Sequence, residues 1–459
     1  MSLFGLLHTG ATGLQAQAFG LAVTGQNVQN AGTEGYSRRT VDLSPLGPPP
    51  PGGGGVRAEG AIRIRDAFLE QRLLGARAAR AEAEARAGAL GVLDRVFADA
   101  EGNVGPSLDD FQAAIEGLAE RPGDDAVRQA VLAEAEGLAA SIRDAARRLT
   151  EARDDLDGRI DLRVDEVNGK LQRIGELGRQ IARAEAVGPE AADLRDQRDQ
   201  LLREVADALP IRTVEGSDGL DVLLGGLSLV SREGEVVELQ IRPDPSSGRL
   251  RLTRTTAGAE QDVTEAVDGG RLGGLIAARD GAIAEAVDGL DQLAFDVAAA
   301  YNAVHQGGVG LDGVAGRSLF VTPGAVAGAA AAFAVSPDVA GAPASLAAAV
   351  DPAVAEGDNR NALELAALAE ADLAGGGTRT ANEELGSLLA AAGLAVQRAE
   401  GDLEAADGAA RQLASLRESV SGVSSDEEAI HLARYQRGYQ AALRVVQVAD
   451  EMLQELLAL

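Results

Sequence analysis

Cysteine and tryptophan are absent from the 459-residue chain, aromatic residues make up only 3%, and histidine occurs only at His8, His305 and His431. Without cysteine there is no disulfide, no thiol nucleophile and no thiolate-held metal. The zero count leaves the compartment open, because a secreted chain without disulfides and a cytosolic chain without thiols look alike. The histidines form no i,i+4 pair and no H-E-x-x-H, so neither a metal nor a cofactor is expected. Lys170 is the only lysine, a usage bias that carries no function. No basic residue precedes Arg38, so the N-terminus does not read as an ordinary secretory signal. The longest small-apolar run, Ala325 to Val335, is 11 residues interrupted by Gly328. That is well short of the roughly 20 residues a spanning helix needs, and no membrane insertion is expected.

What is plentiful is negative charge. There are 71 acidic against 42 basic side chains, a net charge of −29, which disfavours a phosphate backbone and excludes nucleic acid as an expected partner. The charge is unevenly placed: residues 1–60 and 430–459 are each formally neutral, so the whole excess lies in 61–429. A strongly acidic body suits a solvent-facing surface, whereas neutral ends suit packing among many copies. The length suggests about three structural units.

Both ends carry helical seams. Leu7, Ala11, Leu14, Ala18, Leu21, Gly25 and Val28 step by four and three, as do Leu432, Tyr435, Tyr439, Ala442, Val446, Ala449, Leu453 and Leu456. The first seam lies on a segment with Gly5, Gly10, Gly13, Gly20 and Gly25, each costing about 1 kcal/mol relative to alanine, so that helix needs a packing partner. An interfacial membrane helix would carry Lys or Arg on its polar face, and residues 1–37 have none.

Between the ends, Ser44 to Gly55 reads as a linker or exposed loop, stiffened by a run of four prolines at 48–51 and loosened by a run of four glycines at 52–55. Long helices are predicted from Asp66 to Val187, with breaks near Gly102 to Pro106 and Arg121 to Asp124, and again from Ala191 to Ala208. Period-two runs at Leu239–Ile241 and Leu250–Leu252, with turns at Ser217 to Gly219, Gly225-Gly226, Glu233-Gly234 and Pro243 to Gly248, predict a small antiparallel sheet. Helix resumes over Leu272–His305, then an irregular stretch with short strands runs from Gly307 to Pro352, then helices over Arg360–Leu373 and Thr380–Val420. The expected fold is mainly α, with a small antiparallel β insertion, a long-helix bundle body, and N- and C-terminal helices paired as a coiled coil. Its division is 1–65 with 425–459 as a terminal coiled-coil domain with an exit loop, 66–208 with 268–306 and 358–424 as helical body, 209–267 as a small β domain, and 307–357 as an irregular Gly/Ala-rich region.

Motifs for catalysis are weak. Gly308, Gly310 and Gly313 satisfy G-x-G-x-x-G but follow a helix rather than a strand, and read as a flexible turn. Gly169-Lys170 lacks the upstream glycine of a phosphate loop, leaving Lys170 as a solvated helix residue. Asp109-Asp110, Asp124-Asp125 and Glu427-Glu428 read as helix-start carboxylates, and His305 as a partner for terminal helix carbonyls. No enzyme is expected.

The stretch Gly25-Gln26-Asn27-Val28-Gln29-Asn30-Ala31-Gly32-Thr33-Glu34-Gly35-Tyr36-Ser37-Arg38-Arg39 resembles the N-N-x-x-N-x-x-T-x-G-Y-S-R signature of the axial proteins of the bacterial flagellum, with Gln26 for the first asparagine. Asn27, Asn30 and Thr33 can bond to backbone at the helix exit, Gly35 permits a turn, and Tyr36 with Arg38 offers contacts. Further blocks resemble the flagellar hook-associated protein 1 family: Asp193-Leu194-Arg195-Asp196-Gln197-Arg198-Asp199, Asp358-Asn359-Arg360-Asn361-Ala362-Leu363, and Ser421-Gly422-Val423-Ser424-Ser425-Asp426-Glu427-Glu428 running into Tyr435-Gln436 and Tyr439-Gln440-Ala441. The chain is short for that family, so an outer domain is expected to be reduced or missing.

The resemblance implies a structural protein of the hook–filament junction, secreted by flagellar type III export without a cleaved signal and located outside the cell. Its implied partners are the hook protein, the second junction protein and filament, further copies of itself, and an export chaperone on the C-terminal helix around Ile430–Leu457. The terminal helices would be poorly ordered in the free monomer and pair on assembly. A rod or hook protein shares the first motif and is the alternative. The expected interface residues are Leu7, Leu14, Leu21, Asn27, Val28, Asn30, Thr33, Gly35, Tyr36 and Arg38, with Leu432, Tyr435, Tyr439, Ala442, Val446, Ala449 and Leu453.

Overall fold

The computed structural model describes residues 3–33, 35–47, 54–97, 103–216, 218–245, 249–256 and 258–457. The Pro/Gly run at 48–53, Gly102, Glu34, Ser217 and the turn at 246–248 lie outside them. The chain divides into two compact units: Met1–Glu82 with Arg163–Gly273 and Ala405–Leu459, and Ala83–Leu162 with Gly274–Glu404.

Helices dominate, as the periodicity predicts: α1 (Leu3–Gln29), α2 (Ala67–Phe97), α3 (Val104–Glu120), α4 (Asp125–Glu185), α5 (Ala192–Ala206), α6 (Gly270–Asp280), α7 (Ala282–Gly307), α8 (Ala329–Ala332), α9 (Arg360–Ala367), α10 (Ala381–Ser421) and α11 (Ser425–Leu457). The long α4 is held by one apolar seam, with Val131, Leu138, Ile142, Leu149, Leu156, Ile160, Val164, Val167, Leu171, Ile174 and Ile181 all buried at three-, four- and seven-residue steps. Its start is capped by Asp124, which accepts from the Ala126 N–H at 3.0 Å. Asp109-Asp110, by contrast, lie inside α3, whose cap is Asn103 accepting from Val104 N at 2.7 Å. α10 opens with a capping box, in which Thr380 Oγ1 accepts from Glu383 N and Glu383 Oε2 from Thr380 N.

Several expectations need correction. The predicted 272–305 helix is two helices, broken at Gly281, where Arg279 turns to pair with Asp280 and Asp157. The predicted 360–373 helix ends at Ala367, because residues 368–371 tighten into i,i+3 turns ahead of three left-handed glycines, 375–377. The 44–55 linker is flanked by strands: β1 (Arg39–Pro45) and β2 (Val56–Arg63) form an antiparallel hairpin against α1.

The β insertion is two small sheets rather than one. β3 (Ile211–Gly216), β4 (Gly219–Leu224) and β5 (Leu227–Val230) form one, and β6 (Leu239–Pro243), β7 (Leu250–Thr256) and β8 (Ala259–Asp262) the other. Gly225 and Gly226 both have positive φ, which the tight β4–β5 turn requires. Asn168 of α4 fixes β6 by donating to the Leu239 carbonyl and accepting from its N–H.

In the second unit Phe111, Tyr301, Phe320 and Phe333 form one aromatic cluster, with ring centroids 4.7–6.3 Å apart between neighbours. Around it runs the chain after α7, which among the described residues holds isolated bridges rather than the predicted strands. The first two glycines of the G-x-G-x-x-G stretch in it are packed, while Gly313 has open space around it. A side chain at Gly308 would meet Asn361, and one at Gly310 the Ala344 carbonyl.

Candidate functional site

α1 and α11 lie side by side and antiparallel. Gly10 faces Val446, Gly13 faces Ala442, Gln17 faces Gly438 and Gly20 faces Tyr435. A Cβ on Gly20 would stand 2.4 Å from the Tyr435 ring, and one on Gly10 2.7 Å from Val446 Cγ2. The glycines that weaken α1 as a lone helix are therefore what lets the two helices approach. Of the predicted seam, Tyr435, Ala442 and Val446 lie at this contact, and Ala449 is buried. Leu7, Leu14, Leu21, Leu432, Tyr439 and Leu453 are half-buried, and Val28 is 44% exposed. Closest approach thus follows Gly10, Gly13, Gln17 and Gly20, one stripe round from the leucines. Sequence reasoning chose the larger residues because burial scales with size, whereas the geometry is set by the smallest. Apolar surface is left over: Phe4, Ile430, Val448, Met452 and Leu456 are all exposed.

At the exit from α1 three sequence blocks meet. Asn27 is buried and uses its whole amide: Nδ2 donates to the Arg39 carbonyl (2.8 Å) and Glu428 Oε2 (3.0 Å), while Oδ1 accepts from Arg39 N (3.0 Å) and the Tyr36 hydroxyl (2.8 Å). Arg38 donates to Glu428 Oε1 at 2.7 Å, pairs with Glu427, and its N–H reaches the Ser421 carbonyl. Glu428 thus lies in the first turn of α11, as expected, and also serves this joint. Gly35 has φ +87° and packs so closely on Arg203 and Gln200 that a Cβ would come within 2.9 Å of both. The positive φ demands glycine, whereas the ends of the Arg203 and Gln200 side chains could move aside. Asn30 donates to the Gln26 carbonyl, and Thr33 to Asn30 Oδ1 rather than to backbone.

Arginines then bind this exit to α5. Arg39 Nη2 is 2.7 Å from both Asp193 and Asp196, and its guanidinium lies over the Tyr36 ring. Arg63, 2% exposed, reaches Glu190 (2.9 Å), Asp196 (3.0 Å) and Asp199 (2.8 Å). Burial alone would lower its pKa, but Asp199, Glu190 and Asp196 together raise it. Burial works against ionised Asp199 in turn, yet Arg65, Arg63 and Arg198 hold it below the ordinary carboxylate value. Glu215 is lowered in the same way, against burial, by Arg198, Arg65 and Arg195. Glu70 closes the joint, accepting from Arg417 at 3.1 Å, and Arg417 also donates to the Gly35 and Tyr36 carbonyls. Sequence reasoning missed Arg63, Arg65, Glu70 and Arg417, which no local pattern sets apart from solvated charges.

The Asp358–Leu363 block serves elsewhere, in the second unit. Asp358 accepts from Val350 N and Asp351 N and pairs with Arg360, which pull its pKa far down, while Asn359 and Asn361 donate to the Ala119 and Ala347 carbonyls. Lys170 pairs with Glu204 at 3.0 Å. No group of side chains able to hold a metal occurs among the described residues.

A family model for the flagellar hook-associated protein FlgK helical domain matches residues 90–320, just over half of the chain. The chain belongs to the FlgK family. A model of the flagellar basal body rod FlgEFG protein C-terminal region matches residues 417–459. Flagellar hook-associated protein 1 of Escherichia coli K12 is 24% identical over 98% of this chain and 99% of its own, and that of Bacillus subtilis 168 is 26% identical over 99% and 98%. The flagellar hook protein FlgE of Rhizobium meliloti is 38% identical over 63 residues. The solved FlgK hook junction protein of Burkholderia pseudomallei superposes with a TM-score of 0.69 at 16% identity, covering 76% of this chain and all of that one, and shares the fold. As a member of the FlgK family this chain is a structural component of the bacterial flagellum. No described helix is long and apolar enough to cross a membrane.

Proposed function

We propose that this FlgK-family chain forms the first layer of the hook–filament junction, outside the cell, after type III export. The terminal pair, within 1–65 and 425–459, is the axial-core domain, and the acidic remainder faces outward. Hook protein lies on one side, the second junction protein and filament on the other, and further copies of the chain laterally. One observation carries the reading: α1 and α11 together still leave Leu7, Leu14, Leu21, Val28, Ile430, Val448 and Leu456 half-buried or exposed, apolar surface that a surrounding lattice covers. The same face of α11, around 430–457, suits an export chaperone before assembly, in a helix-in-groove contact. The role needs shape and adhesion, not catalysis.

Deleting the gene and viewing cell bodies by electron microscopy, with an assay for flagellin in the medium, tests this. Hooks without filaments and flagellin lost to the medium are expected. Normal filaments contradict the junction role, and loss of hooks moves the chain to the rod or hook.

A further inference from the structure

The chain after α7 wraps the aromatic cluster with only the short α8, 3-10 turns and isolated bridges, so many of its backbone groups need other partners. α7 supplies them on one face. Asn302 donates to the Phe320 carbonyl and accepts from its N–H, and Asp291 accepts from Gly328 N and Ala330 N. His305, fully buried, lies between two distant points of that chain. Its Nε2 accepts from Ala347 N at 3.0 Å, which assigns the ring proton to Nδ1, and Nδ1–H donates to the Arg317 carbonyl at 2.8 Å. The terminal-carbonyl role expected of a cationic His305 is therefore replaced by a neutral ring that joins residues 317 and 347.

The surroundings oppose a cation there. Arg128 of α4 is fully buried and donates to the Pro122, Pro343 and Leu346 carbonyls, with no carboxylate partner among the described residues. Arg317 lies beside the ring on the 307–320 chain, paired with Asp312, and the exposed Asp338 of the 336–347 chain opposes the two arginines. α9 contributes the neutral Asn361 on the Ala347 carbonyl. Burial pushes the imidazole pKa down; the bond to the Arg317 carbonyl opposes this, and the charges of Arg317 and Arg128 add to the lowering.

We propose that His305 is an acid-operated latch: a proton taken from solvent onto Nε2 removes the acceptor of Ala347 N–H and opens the link between residues 317 and 347, while Asn302 and Asp291 still hold residues 320–330 to α7. The released ring is an ordinary exposed imidazole. Because the ring is neutral when latched, the open form binds the extra proton. The latch is thus fully closed above the ordinary imidazole pKa of 6.5 and weakens as pH falls below it.

Amide hydrogen exchange of the full-length protein at pH 7.5 and 5.5, corrected for the chemical exchange rate, tests this. Peptides covering 317–320 and 346–349 should lose protection across that interval, by up to about tenfold, the limit for one proton gained on opening. Unchanged protection overturns the latch. In His305→Gln the dependence should vanish, and its persistence also overturns the proposal. Should that variant fail to fold, the double variant His8→Gln/His431→Gln decides: it keeps the change if His305 is responsible, and losing it refutes the assignment.

Discussion

In the first unit, the chain leaving α1 is fixed by charge: Arg39, Arg63 and Arg417 each meet carboxylates from distant segments, and Asn27 ties the same turn to α11. In the second, the chain leaving α7 is fixed over an aromatic core by side chains that bond to its backbone, the neutral His305, Asn302 and Asn361 together with the charged Asp291 and Arg128. The contrast teaches how each joint fails. An ion-paired joint is indifferent to pH until its carboxylates protonate, but cannot lose a partner, because the remainder is a buried unpaired charge. Neutral groups survive loss of any one bond more readily, but a histidine among them answers to mild acid.

The largest effect expected from breaking this contrast is at Arg63. Arg63→Met leaves Asp196, Asp199 and Glu190 around a buried neutral side chain, and should cost about 3–5 kcal/mol in the first unit while sparing the second. Urea unfolding followed by hydrogen exchange reads the two units apart; a loss below about 1 kcal/mol would mean water already screens the joint.

Next in size is the acid response of the unaltered protein. Asp199, Glu215 and Glu185 are held below their ordinary values of 3.8, 4.5 and 4.5, so their stabilisation is full above those values and is lost as pH falls through them. His305 acts earlier, below 6.5. The second unit should therefore weaken first, by up to about 1.4 kcal/mol per pH unit for one proton. The reverse order in a pH series of hydrogen exchange breaks the comparison.

Gly20→Val places a branched side chain against Tyr435 and should destabilise the terminal pair by about 1–3 kcal/mol, seen as faster exchange in α1 and α11 alone. The smallest effect on the monomer belongs to Leu14→Asp. Leu14 is half-buried beside the α1–α11 contact, so the change should cost under about 1 kcal/mol in the monomer yet abolish filament assembly. Val446→Asp, at the contact itself, should do both. Normal motility in Leu14→Asp cells would show that its face meets no neighbour.

Helices, the location of the β insertion and the motif blocks were legible because each rests on local pattern: the seam of α4, the capping box at Thr380, the turn at Gly225-Gly226. The α1 stripe was read one position round, since leucine spacing marks apolar surface without saying whether the same chain covers it. The joint at Arg63 and the latch at His305 were not legible. Each has a partner more than 40 residues away, and a lone arginine or histidine looks the same in sequence whether solvated or sealed.

The central claim is that the terminal pair is finished by its neighbours. It is tested most directly by comparing amide exchange of α1 and α11 in purified monomer and in isolated hook–filament junctions. The account predicts fast exchange in the monomer and strong protection in the junction, with the body alike in both. Equal protection of α1 and α11 in the two states would contradict it.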